Sequence, residues 1–227
     1  MQDVEVDGGA LIAHELKAPL SVMRQLAFAL PEMGAEGERV RAEMVRVSER
    51  ALRQVNDLAK VRRLEDGLFE MEPVAVRAVC DEVTKELKRL FTVRGRSLKV
   101  RYANRARLVN ANAELLFSVI YNFLVNAVRY SGEKTETELI VRDSRGRVKV
   151  TIRDFGPALP VEIWRKLKNG KLSEPVKVAM RPGSSGLGLY IASRFSRYMG
   201  AEVGAVRHRD GTSFFVELPV SRQLSLF

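Results

Sequence analysis

Apolar positions at steps of three and four open the chain. Leu11, Ile12, Leu16, Leu20, Met23, Ala27 and Leu30 form one face of an amphipathic helix, which Pro31 and the Gly34–Gly37 stretch break. Val40, Met44, Val47, Ala51, Val55, Leu58 and Val61 then recur close to a heptad and predict a second helix. Two such helices alone bury little. Residues 1–66 therefore read as a helical hairpin that pairs with a second copy into a four-helix bundle.

After Asp66-Gly67 the rhythm changes. Phe69 to Val76 reads as a short strand, with residues 67–75 as the linker. Val79, Val83, Leu87 and Leu90 predict a helix from Arg77 to Arg94, ended by Gly95. Leu98–Tyr102 and Arg107–Ala111 read as strands, and Asn112 can cap a helix carrying Leu115, Leu116, Val119, Ile120, Phe123, Leu124 and Ala127. A hairpin follows, Thr137–Arg142 and Val148–Arg153, and it ends in Asp154-Phe155-Gly156-Pro157. Val161–Leu167 reads as a short helix, and Lys168–Pro182 as a polar, irregular loop of the kind that closes over a ligand. A last helix runs to Gly200, and a terminal hairpin, Glu202–Val206 and Thr212–Leu218, turns through Asp210-Gly211. Helices alternating with paired strands predict an α/β two-layer sandwich over residues 76–227.

Composition narrows the classes. With 227 residues and 46% hydrophobic content the chain can bury a sizeable core. Its formal charge of +10 leaves nucleic acid, anionic lipid, a nucleotide or an acidic protein open as partners. The basic residues are dispersed, as in Arg39, Arg41, Arg46, Arg50 and Arg53, which favours a solvated helix face over a nucleic-acid patch. The single cysteine, Cys80, excludes an intrachain disulfide and sits among apolar neighbours as a buried thiol would. No stretch approaches 18 apolar residues, and Met-Gln-Asp-Val-Glu-Val has no basic n-region. These features predict a cytoplasmic chain that makes no membrane contact of its own.

Three places carry candidate chemistry. In Gly183-Ser184-Ser185-Gly186-Leu187-Gly188, three glycines occupy six positions directly before a helix. Such a turn brings backbone N–H groups close to a phosphate, and the helix N-terminus adds a favourable dipole. Alone it fits a flexible loop ending in a helix cap equally well. In the first helix His14 lies beside Glu15, one turn before Pro19. A near-neutral imidazole can attack phosphorus and an adjacent carboxylate can take its proton, although a lone helical histidine is also an ordinary surface residue. Asn122 and Asn126 lie four apart on one helix face with Arg129 and Tyr130 beyond. They fit Mg2+ and phosphate oxygens, or simple amide packing. Asp154, at a strand end, can accept from an amine such as that of adenine. His208 lies in a charged turn and reads as surface.

Taken in order, these segments resemble the catalytic core of a bacterial sensor histidine kinase. Leu11-Ile12-Ala13-His14-Glu15-Leu16-Lys17-Ala18-Pro19-Leu20 is similar to the family's H box, and Asn122 to Ser131 to its N box. Asp154-Phe155-Gly156 is similar to the G1 box and Gly183 to Leu189 to the G2 box. The resemblance implies a dimerisation and phosphoacceptor domain (1–66), a linker strand (67–75) and an ATP-binding domain of the gyrase, Hsp90 and histidine-kinase type (76–227). It implies ATP and Mg2+ as cofactors and a response-regulator receiver domain as partner, with no role for nucleic acid. His14 would be the phosphoacceptor and Glu15 the base. Asn122 and Asn126 would serve Mg2+ and phosphates, Arg129 a phosphate, Tyr130 the nucleotide and Asp154 the adenine amine. Gly156, Gly183, Gly186, Leu187, Gly188 and Thr212 complete the implied nucleotide site.

The sequence departs from the family pattern in three places. Ala158 stands where the G1 segment usually has a second glycine. Ala18 stands where threonine or asparagine commonly orients water, which predicts weak phosphatase activity toward the regulator. The lid lacks a clear Phe-rich match, and Trp164 is the candidate for that place. A catalytically impaired scaffold of the same fold is the alternative reading, with Ala158 and Arg129 its support and His14-Glu15 against it. Thirteen residues precede His14, so the input signal is expected from elsewhere.

Overall fold

The computed structural model describes residues 19–23, 25–26, 37–102, 107–132, 135–144, 146–172, 174–176 and 186–221. The chain divides into two compact units, Met1–Arg63 and Leu64–Phe227.

In the first unit, residues 19–23 and 25–26 are helical, and helix α1 spans Gly37–Arg63. Glu38 in its first turn and Lys60, Arg62 and Arg63 in its last complement the helix dipole. The heptad places its residues as expected. Val40, Ala51, Leu58 and Val61 are buried, with Met44, Val47 and Val55 half-buried. Val45 and Leu52, one heptad apart, are left 51% and 62% exposed. His14, Glu15 and Ala18 lie outside the described residues.

The second unit is the two-layer sandwich. Gly67, at φ 66°, donates its N–H to Leu64 O and makes the expected turn. Strand β1 (Glu72–Ala75) is shorter than the sequence suggested, because it pairs antiparallel only with the four residues of β3 (Leu108–Ala111). Helix α2 (Val76–Val93) follows β1 directly, and β2 (Ser97–Tyr102) follows the Gly95 turn. Asn112 caps helix α3 (Ala113–Tyr130), its side-chain oxygen accepting from Leu115 N at 3.1 Å. Then come β4 (Glu136–Ser144), β5 (Arg147–Asp154), α4 (Val161–Lys168), α5 (Leu187–Tyr198), β6 (Glu202–His208) and β7 (Gly211–Pro219).

The main sheet has the order β2-β4-β5-β7-β6. Only the β2–β4 pair is parallel, with Ser97 opposite Glu136 and Tyr102 opposite Val141. Helices α2, α3 and α5 cover one face. Strict alternation on β5 sends Val148, Val150 and Ile152 into the core and Arg147, Lys149, Thr151 and Arg153 to the other face. On that pattern Asp154 falls on the core side, at the strand's end. The core is built on α3, whose Leu115, Leu116, Val119, Ile120, Phe123 and Leu124 are all fully buried. Phe123 stacks on Phe214 of β7, ring centroids 5.5 Å apart. Each such side chain contributes about 2 kcal/mol of apolar burial, so α3 cannot turn about its axis without large loss. That fixes where its polar edge points.

Candidate active site

Helix α3 carries a polar edge beside its apolar face. Asn122, Asn126, Arg129 and Tyr130 are half-buried there, one or two turns apart. Asn122 Nδ2 donates to Ser118 O at 2.9 Å, which leaves its amide oxygen available on the outer side. That oxygen faces Gly188 of α5, where a Cβ would sit 3.0 Å from it. The Arg129 guanidinium lies 5.6 Å from the Tyr130 ring centroid, near the helix end.

Two glycine contacts bring the other motifs to this helix. A Cβ on Gly156 would lie 2.0 Å from Tyr130 O and 2.6 Å from its carbonyl carbon. Backbone therefore meets backbone, and only glycine fits. Gly132 N donates to Phe155 O at 3.2 Å, closing the junction from the other side. Asp154, 1% exposed, ends β5 here, and its Oδ1 accepts from Gly156 N at 3.1 Å. Thr212 stands opposite Asp154 in the β5–β7 register, and its hydroxyl accepts from Leu159 N at 3.1 Å. The loop that carries Ala158, itself half-buried, is thereby tied to β7.

The glycine-rich segment ends in the same region. Gly186 is the N-cap of α5 with φ 73° and ψ −7°, and a Cβ there would lie 2.2 Å from Val176 O. Leu187, the first residue of α5, is fully buried. Gly183 lies outside the described residues. Asn122, Gly188, Tyr130, Gly156, Asp154 and Thr212 thus share one end of the sandwich.

A buried carboxylate at a strand end, a glycine-lined junction and a helix N-terminus are the parts of a purine nucleotide site. Residues 111–222 match the family of histidine kinase-, DNA gyrase B- and HSP90-like ATPases. The second unit belongs to this family.

Relatives extend the match over the chain. The alginate biosynthesis sensor protein KinB of Pseudomonas aeruginosa is 26% identical over 223 residues, 92% of this chain and 36% of KinB. The Acinetobacter baumannii histidine kinase AdeS has a similar fold, with a TM-score of 0.67 over 92% of this chain and 98% of that one, at 16% identity. The histidine kinase ThkA, solved in complex with the response regulator protein TrrA, has a TM-score of 0.66 over 94% of this chain and 61% of that one, at 18% identity. At these identities the two structures speak for the fold. The chain spans about half the length of several curated relatives it matches, and less of KinB. Over most of its length the chain is thus similar to sensor histidine kinases, and its second unit carries their type of ATPase domain.

Within this ATPase domain one sequence expectation changes. His208, read as surface, is half-buried, and its Nε2 lies 2.9 Å from Ser213 Oγ. Partial burial and the nearby Arg153 cation hold its imidazole below the ordinary value, against the opposing pull of Asp210. Trp164 sits on α4 and donates its indole N–H to Ala205 O at 2.8 Å, with Lys168 Nζ 5.1 Å from the ring centroid. It docks α4 on the edge strand β6. Cys80 is fully buried, and burial, then Asp81, pushes its thiol up to about 12. Among the described residues no helix is long and apolar enough to cross a membrane.

Sequence alone gives no role to Gly132, marks Arg153 only as the end of a strand and Asp210-Gly211 only as a turn. Gly132 and Phe155 lie 23 positions apart and meet only through the junction just described. An arginine before an aspartate is no motif. Its role comes from cross-strand register, which leaves no local signal.

Proposed function

We propose that this chain is the core of a two-component sensor kinase. It is an ATP-dependent protein-histidine kinase that phosphorylates its own His14 and passes the phosphoryl group to an aspartate of a response-regulator receiver domain. The observation that carries this reading is the meeting of three separated segments on α3, with Gly156 against Tyr130 and Gly188 against Asn122. Residues 1–66 serve as dimerisation and phosphoacceptor domain, 67–75 as linker and 76–227 as ATP-binding domain. Val45 and Leu52, exposed one heptad apart, support a homodimer through the first of these. The complex of ThkA with TrrA supports a response regulator as partner. Dependence on ATP puts the reaction in the cytoplasm.

In this reading Asp154 accepts from the adenine amine, and Gly156 lets the base approach. Thr212 lines the pocket beside Asp154, and Tyr130 lies against the nucleotide. Gly183, Gly186, Leu187 and Gly188 offer backbone N–H groups to phosphate at the start of α5, and Arg129 adds a cation. The amide oxygens of Asn122 and Asn126 suit Mg2+, a hard cation. Among the described residues no cluster of three or more His, Cys, Asp or Glu could hold a metal, so Mg2+ would rely on these amides and on phosphate oxygens. The ion supplies charge neutralisation for the phosphates. The bond between the γ-phosphorus and the ADP oxygen breaks, a phosphorus–nitrogen bond forms on the His14 ring, and Glu15 takes the ring proton. Catalysis of this kind rests on positioning and electrostatics. With Ala18 one turn beyond His14, phosphatase activity is weak, and a regulator's phosphorylation decays no faster when the protein and nucleotide are added.

The test is incubation with γ-labelled ATP and Mg2+ beside His14→Gln. Acid-labile, alkali-stable label on the wild type alone is the expected result. Nucleotide binding without label favours the impaired scaffold suggested by Ala158. A chain that neither binds nucleotide nor takes label refutes the kinase.

A further inference from the structure

We propose that Arg153 is a positioning residue for nucleotide selection, acting through Asp154. The proposal rests on the reading of Asp154 as the acceptor of the adenine amine. Arg153 precedes Asp154 on β5 and leaves the strand on the opposite face. An arginine on a sheet's outer face normally extends into water. This side chain is only 12% exposed.

Its guanidinium folds back over the end of its own strand. Nη1 donates to the Asp154 carbonyl oxygen, and Nη2 donates to Asp210 Oδ1 at 2.5 Å. The guanidinium carbon lies 4.3 Å from the Phe155 ring centroid. One cation therefore holds the backbone of residue 154, covers the ring of residue 155 and anchors both to the β6–β7 turn. Gly211 makes room for this. Its φ is 147°, and a Cβ there would lie 2.0 Å from Asp154 O and 2.5 Å from Arg153 Nη1.

The consequence falls on the Asp154 carboxylate. Its direction depends on the backbone of residue 154 and on the Gly156 N–H that it accepts. The guanidinium restrains the first directly and the second through Phe155. The charge-assisted bonds to Asp210 and the carbonyl are of the strong, geometrically specific kind. Without them the turn can shift relative to β5, and the carboxylate loses its preset aim at an amine. A group that aims Asp154 is visible in base discrimination. A mere hairpin staple is visible only in stability.

The experiment measures the dissociation constants of ATP and ITP, which lacks the exocyclic amine, together with the melting temperature. It uses the whole chain as wild type, Arg153→Met, Arg153→Lys and Asp210→Asn. The wild type is expected to prefer ATP. Arg153→Met lowers that preference about tenfold, the scale of a lost charge-assisted bond. Arg153→Lys, which keeps the charge and one donor, falls between them. Asp210→Asn, at an exposed carboxylate, lowers it in the same direction and decides the matter if Arg153→Met does not fold. Variants that melt earlier but keep the wild-type ATP-to-ITP ratio overturn the proposal and leave the Asp154 reading intact. A wild type that binds both nucleotides equally refutes the Asp154 reading, and the proposal falls with it.

Discussion

Replacing Gly156 by alanine tests whether the site depends on the junction at the end of α3. The new Cβ would lie 2.0 Å from Tyr130 O, 2.6 Å from its carbonyl carbon and 3.1 Å from Ser131 N. Close carbon–oxygen contacts in proteins run to about 3.3 Å, so the two backbones must part by roughly 1 Å or more. No side chain can swing away to relieve this, because every atom met is main chain. The hydrogen bonds from Gly132 N to Phe155 O and from Gly156 N to Asp154 Oδ1 stretch with the junction. Overpacking of this kind costs about 2 kcal/mol, or roughly 4–8 °C in Tm for a domain of this size. Nucleotide affinity drops as well, since Asp154 and Tyr130 move apart. Gly132 is the internal control. A Cβ there meets Thr135 Cγ2 at 3.5 Å and Phe155 O at 3.7 Å, ordinary contacts, so Gly132→Ala stays near wild type. Thermal melts and titration with a fluorescent ATP analogue read both effects. The reasoning is refuted if Gly156→Ala melts and binds like wild type, or if Gly132→Ala is equally harmful.

Trp164→Phe keeps most of the apolar ring but strands the Ala205 carbonyl, and denaturant unfolding is expected to register a loss of about 1 kcal/mol. His208 titrates below its ordinary 6.5, first by burial and then by Arg153, so the fold prefers the neutral ring. Its contribution is complete above that value and is lost as pH falls through the folded pKa. Melting temperature should therefore fall more steeply from about pH 7 to about pH 5 in the wild type than in His208→Gln; parallel profiles would contradict this. Cys80 should resist thiol reagents in the folded chain and react fully in guanidinium, as counted by mass spectrometry; labelling under native conditions would contradict its complete burial.

Much of the architecture is written in periodicity. Steps of three and four mark α1, α2 and α3, and the Asn112 cap is local chemistry that works as read. Alternation marks β5 and β7, and Gly67 and Gly95 stand at φ 66° and 61°, where their turns require them. The same locality explains the errors. The strand before α2 extends only as far as its partner β3, and pairing length is not a property of one segment. His208 sits in a charged stretch, yet the β6–β7 and β5–β7 registers together bring Ser213 and Arg153 to it. The motifs at Asn122, Asp154 and Gly188 are equally local, because each is a few residues whose chemistry and backbone needs are visible in isolation.

What those motifs make together is a matter of distances between segments remote in sequence. That Gly156 must be glycine follows from the Tyr130 carbonyl, and that Gly188 must be small follows from Asn122. Packing of α3 on the sheet sets both, since about half a turn of rotation about the helix axis would bury the amides and expose leucines. The clamp at Arg153 depends on strand register and on the room left by Gly211. Residue types supply groups that can bind and react. Only close packing of the chain brings them within bonding reach, because hydrogen bonds and steric fit act over a few ångströms while sequence separation runs to dozens of residues.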